Sequence, residues 1–139
     1  MVHALTLAHH WLAENGRLLD LHPNGKPASV DIQLGDKTHR AGWITEETDY
    51  ATYHQANAAI AQVVQEKLFT IESKTTIPVH TYGESVAAIQ AYLAESWADA
   101  HLDELLIMRA NDWLQSIVTP KRVIVTEKVR VLKLRPFVK

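Results

Sequence analysis

The side chains best suited to chemistry lie near the start of the chain. His9 and His10 are adjacent, and His22 follows Asp20 by two residues. Three imidazoles brought together from neighbouring elements are a reasonable metal set. Adjacent residues of a helix, however, diverge by about 100°, and of the acidic residues only Glu14, four after His10, stands at a helical ligand spacing from either. The favoured reading is therefore partly exposed polar histidines, with no metal. Asp20 and His22 have the two-residue spacing that places both on one face of a strand. An acid and a base near the C-terminal end of a strand could meet a ligand there. The simpler alternative is that they bond loop amides around Pro23 and Asn24. Tyr53, His54 and Asn57 fall in the first turns of a long helical pattern and could line the same pocket. The candidate ligand pocket is thus Asp20, His22, Tyr53 and His54.

Other chemistries are absent or have simpler explanations. The chain has no Cys, which removes disulfides, thiolate metal sites and a Cys nucleophile. No Gly-x-Ser-x-Gly elbow supports a serine nucleophile. Asp103 and Glu104 read as a favourable acidic first turn of a helix. Lys121, Arg122, Lys128, Arg130, Lys133 and Arg135 read as strand-face charges between apolar neighbours. With a formal net charge of -2, no basic field points to nucleic acid or an anionic membrane surface. No apolar run approaches the roughly 18 residues of a membrane helix, and no signal-peptide layout opens the sequence. A cytoplasmic protein that needs no cofactor is the expectation.

These residues must be positioned by a framework of one domain over the 139 residues. Leu5, Ala8, Trp11 and Leu12 make one stripe of a short helix over Ala4 to Glu14. Asn15-Gly16 stops it, on the expectation of a left-handed helix end. The near-continuous run Leu18, Leu19, Leu21 reads as a strand covered on both faces. Val30, Ile32 and Leu34 alternate with polar residues, and Gly35-Asp36 turns the chain into a return strand over 37–44. Asp49 is expected to cap a helix from Tyr50 to about Lys67, with Ala56, Ile60 and Val63 inward. Phe69 to His80 alternates as a long strand in which Pro78 marks a sheet edge. One helix follows Ser85; a second, capped by Asp99, carries Leu102, Leu105, Leu106, Trp113, Leu114 and Ile117 inward. A last strand runs from Arg122 to Leu134, with Val123, Val125, Val129 and Val131 on one face. The fold class is α+β: a mixed, largely antiparallel sheet with a long central C-terminal strand and helices packed on it.

The run Trp11-Leu-Ala-Glu-Asn-Gly-Arg-Leu-Leu-Asp20, and the order of elements after it, resembles the C-terminal half of class I S-adenosylmethionine-dependent methyltransferases. In that family a helix ends in a Pro-Gly-Gly-like turn and feeds strand five. Ala13–Asn15 depart from the usual Lys-Pro-Gly. The resemblance implies that Phe69–His80 and Arg122–Leu134 are strands six and seven, with seven lying between five and six. It also implies a glycine-rich cofactor loop and a ribose-binding carboxylate on earlier strands, neither of which has a counterpart here. The chain has 5 glycines, no two close enough to form such a loop.

The expected function is therefore a non-catalytic methyltransferase-like remnant or subunit acting through protein–protein contact. One alternative is a methyltransferase subunit completed by a separately encoded cofactor-binding partner. Another is a small-ligand-binding α+β cone with its pocket between sheet and helices. A homodimer is expected, because strand five would lack its usual neighbour. Its candidate interface is Trp11, Leu12, Val30, Ile32 and Trp43, with helix-and-hairpin packing favoured over strand-edge pairing.

Overall fold

The computed structural model describes residues 1–48 and 51–138. Asp49, the expected helix cap, and Tyr50 lie outside the described residues. The fold is α+β. Its helices are α1 (Val2–Trp11), α2 (Ala51–Gln65), α3 (Val86–Ser96) and α4 (Glu104–Leu114). Its strands are β1 (Leu18–Pro23), β2 (Ser29–Leu34), β3 (Lys37–Trp43), β4 (Thr45–Glu46), β5 (Phe69–Gly83), β6 (Ala100–His101) and β7 (Lys121–Pro136). The long C-terminal strand β7 pairs with β1, β2 and β5, while β4 and β6 form a separate two-stranded sheet. Both β1 and β2 run antiparallel to β7. Two compact units can be distinguished within the sequence read as one domain. One comprises Met1–Gly25, Tyr50–Ile77 and Lys128–Lys139, the other Lys26–Asp49 and Pro78–Glu127.

In the first unit, Leu5, Ala59, Ile60, Val63, Phe69, Leu132 and Leu134 form one buried cluster, with Leu12 and Leu18 packed against it. The spacing of Ala59, Ile60 and Val63 on α2 is the three-to-four-residue stripe a helix needs to bury one side. Gly16 allows close approach rather than a left-handed turn: a Cβ there would stand 2.8 Å from Leu12 Cδ2 and 2.9 Å from the Ala13 carbonyl. β1 is not covered on both faces as its leucine run suggested. Leu18, Asp20 and His22 are half-buried and Leu19 and Leu21 are exposed. The partners of β1 run from Leu134 opposite Leu18 to Val129 opposite Pro23. Phe137 N–H donates to the Leu68 carbonyl (2.9 Å) and Lys133 meets Glu72 (2.8 Å). Partner numbers therefore fall along β7 as they rise along β5, which makes this pair antiparallel too.

In the second unit the hairpin β2–β3 turns at Gly35-Asp36 as expected, with Leu34 opposite Lys37. Val30, Ile32, Ala41, Ile44, Leu106, Ala110, Val123 and Val125 belong to its core. Ser85 caps α3 by accepting from Ala88 N–H. Asp103, not Asp99, caps α4, accepting from Leu106 N–H at 2.8 Å. Asp99 instead accepts from the Thr48 hydroxyl and the Glu47 amide. Because α4 ends at Leu114, Ile117 falls outside its periodicity and is exposed, as is Leu105. Among the described residues no helix is long and apolar enough to cross a membrane.

β7 departs from the simple alternation read from the sequence. Val123 and Val125 are buried, but farther along the fully buried residues are Leu132 and Leu134, and Val129 and Val131 are only half-buried. We therefore expect Leu132→Asp to destabilise the protein by about 3–5 kcal/mol, since an unpaired carboxylate would enter the core. Val129→Asp should cost about 1 kcal/mol. Urea midpoints for the two variants check this, and equal losses would contradict the burial pattern.

An ion network fastens one face of the first unit. Arg17 binds Glu72 through Nε at 3.0 Å and Nη2 at 3.0 Å, and Lys133 Nζ reaches the other carboxylate oxygen at 2.8 Å. The Arg17 hydrogen bond, followed by that of Lys133, lowers the Glu72 carboxyl from 4.5 to about 2. A carboxyl lowered on folding stabilises above its unfolded value and loses that contribution as the pH falls towards the folded value. Parent and Glu72→Gln should thus differ in urea midpoint near neutral pH and converge towards about pH 2. The difference should shrink in high salt. A difference that persists unchanged at low pH would overturn this assignment.

Candidate functional site

The apolar inner face of β1 and β7 gives way to polar residues at the C-terminal end of β1. His22 stands directly opposite Arg130, and Asp20 opposite Leu132. Because antiparallel partners share a face, the short spacing from Asp20 to His22 and the cross-strand position of Arg130 bring three ionisable groups together. His22 Nδ1 lies 2.8 Å from Asp20 Oδ2, and Arg130 Nη2 lies 3.8 Å from the same oxygen. On the other side of the ring, His22 Nε2 lies 3.2 Å from Asn57 Oδ1 on α2. The side chains of Asp20, His22 and Arg130 are between 11% and 15% exposed. Asp20 Oδ2, His22 Nδ1 and the Nε and Nη2 of Arg130 are buried without a well-aligned hydrogen bond. The 2.8 Å contact is therefore close but out of line for hydrogen bonding.

Tyr53 and Asn57, four residues apart, share one side of α2. Tyr53 is half-buried and sits beside the turn after β1. Gly25 there has φ +76°, and a Cβ on it would stand 3.6 Å from Tyr53 Cβ. His54 is exposed, turned about 100° from Tyr53 around the helix. The structure thus joins Asp20 and His22, adds Asn57 and Arg130, and leaves His54 outside their contacts. Asp20 faces His22 and Arg130, and the loop amide of Asn24 donates to the Lys128 carbonyl. Arg130, expected as a strand-face charge between apolar neighbours, lies inward. The buried Leu132 and Leu134, at the same parity on β7, are the signal that places it inward.

The chemistry available here is orientation and charge balance. Both imidazole nitrogens face oxygen atoms of neighbouring side chains, so neither is directed at an open reacting position. His9 packs edge-on to Phe69, with ring centroids 5.2 Å apart. No group of three or more potential metal ligands occurs among the described residues. Open grooves of about 240 Å³ beside Leu93 and His101, and about 440 Å³ beside Leu34 and His39, involve none of the candidate pocket residues.

The candidate interface is also divided by the structure. Val30 and Ile32 are fully buried, so the proposed hairpin face cannot meet a partner; it is covered within its own unit. Leu12 packs against the first unit's core. Trp11 (77%) and Trp43 (54%) are exposed, and Arg40 stacks over Trp43 at 5.3 Å.

We expect Arg130→Met to destabilise the protein by about 3 kcal/mol, because the Asp20 carboxylate would keep its burial and lose a cation. Removing both charges with Asp20→Asn and Arg130→Met should cost clearly less than the sum of the single changes. A strictly additive cycle would show that the groups do not act together.

The sequence matches no family model and no curated protein, and the fold matches no solved structure.

Proposed function

We propose that this chain is a methyltransferase-like domain that does not itself transfer methyl groups and acts by associating with protein through the open side of β1. The methyltransferase part of this reading is supported by the placement of the last strand: in the first unit β7 lies between β1 and β5 and runs antiparallel to both. The non-catalytic part is supported by the lack of a glycine-rich loop and by the enclosure of His22 between Asp20 and Asn57, with its Nε2 paired to Asn57.

The observation that carries the association is the exposure of Leu19 (58%) and Leu21 (56%), with Val131 opposite Leu21. Exposed leucines grouped on one strand face mark interaction surfaces. The same surface suits a variant of this reading, in which a separately encoded partner supplies the cofactor-binding half.

A second reading, binding of a small polar ligand, is favoured by the cluster of Asp20, His22, Arg130 and Asn57. Buried charged donors and acceptors out of mutual alignment can be satisfied by a polar ligand group. The first reading is preferred because these side chains already face one another.

The non-catalytic reading predicts no heat above dilution when S-adenosylmethionine is titrated into the protein in a calorimeter. Stoichiometric micromolar binding would overturn it.

A further inference from the structure

We infer that the partner at β1 is a second copy of this chain, joined by antiparallel pairing of the two β1 edges about a twofold axis at Leu21. The inference rests on the reading that the chain works through protein association. The direction of the β1 backbone groups follows from one bond. Asn24 N–H donates to Lys128 O at 2.9 Å, and this pair continues the register in which Pro23 faces Val129. Backbone groups of successive strand residues point to alternate sides. Leu18, Asp20 and His22 therefore direct their amides and carbonyls to β7, and Leu19, Leu21 and Pro23 direct theirs away from it.

No strand pairs with that second edge among the described residues. Pro23, which has no N–H, falls on it, where its missing donor leaves the β7 ladder intact. The amides of Leu19 and Leu21 are the donors that remain, and an edge carrying such groups beside leucines is a template for pairing.

Symmetry restricts the register. Facing residues of an antiparallel pair share a face, so a twofold axis normal to the sheet must pass midway between the two copies of one residue, which names the axis. An axis at Asp20 sets the two Asp20 carboxylates directly opposite each other, which is repulsive. An axis at Leu19 opposes Leu21 to Arg17, which is held by Glu72, and buries Asp20 against Leu18. An axis at Leu21 sets each Asp20 opposite His22 of the second copy and pairs Leu21 with Leu21. The Leu19 amide can then donate to the Pro23 carbonyl across the axis. Of these three registers, the one at Leu21 alone sets neither two carboxylates together nor a leucine against Arg17. The helix-and-hairpin route is weakened by the burial of Val30 and Ile32.

The test uses the absence of native cysteine. Light scattering at micromolar concentration should give twice the chain mass. Facing residues of a backbone-bonded pair lie about 5.5 Å apart at Cα, so a short bifunctional thiol reagent should join Leu21→Cys into a covalent dimer. Leu19→Cys and Trp11→Cys should join poorly. Leu21→Pro should give the chain mass with helical signal retained, because the donor it removes faces away from β7. If that variant does not fold, the cysteine series decides. A parent of single-chain mass, a folded Leu21→Pro that remains dimeric, or preferential linkage at Leu19→Cys or Trp11→Cys would each overturn the proposal. A single-chain mass without S-adenosylmethionine binding would overturn the pairing alone, leaving association to a different protein. A dimer linked at Leu21→Cys that binds the cofactor would uphold the pairing and remove the non-catalytic reading.

Discussion

Every pairing in the main sheet except the β2–β3 hairpin passes through β7. Its backbone groups receive β1, β2 and β5, and its buried residues enter both apolar clusters, Val123 and Val125 in one and Leu132 and Leu134 in the other. A strand in this position has little freedom, because each ladder fixes its register and each cluster fixes which residues must be apolar. The shift of the buried set from odd to even numbers is where these demands meet. It also brings Arg130 inward, at the same parity as Leu132.

An inward arginine on an otherwise apolar face requires company. Burying a charge is costly unless it is paired, and the sequence supplies Asp20 and His22 on the facing strand and Asn57 on the helix above. Here the apolar layer ends and the polar cluster begins. The contacts are close but imperfectly aligned, so much of their value lies in compensating desolvation rather than in strong hydrogen bonds. Such a cluster can fix a strand's face and register without performing a reaction. That is the physical reason for placing association ahead of catalysis.

Much of the fold was legible because its signals were local. The turn at Gly35-Asp36, the extent of β5 and the apolar stripe of α2 each need only a few neighbouring residues to be read, although the alternation of β5 yields no buried face beyond Phe69. What the sequence concealed was non-local. Leu18, Leu19 and Leu21 look alike as a run, and only the placement of the helices separates the covered leucine from the two exposed ones. Val30 and Ile32 appeared to need cover from a partner, yet α4 and the strands of their own unit supply it. Asp99 and Asp103 are both plausible caps by type, and the difference is which one precedes a turn whose Leu106 amide it can reach. Within the candidate site, the Asp20–His22 pair was readable from its spacing. Its partners Arg130 and Asn57 required knowledge of the β7 register and of the docking of α2.

The two outer strands of the first unit are protected very differently. β5 pairs only with β7 among the described residues, but it carries Lys74 and the ion-paired Glu72, and its continuation contains Pro78. Charge and a missing donor are the usual means by which an edge is kept from pairing. β1 is short, carries the inward Asp20 and ends in Pro23, but two exposed leucines stand before that proline. A long strand guarded by outward charge and a short strand carrying exposed leucines are not equivalent surfaces. If both were simply facing water, the same protection would be useful on each. On the proposed pairing the asymmetry follows, because one edge stays single while the other is covered by a second β1.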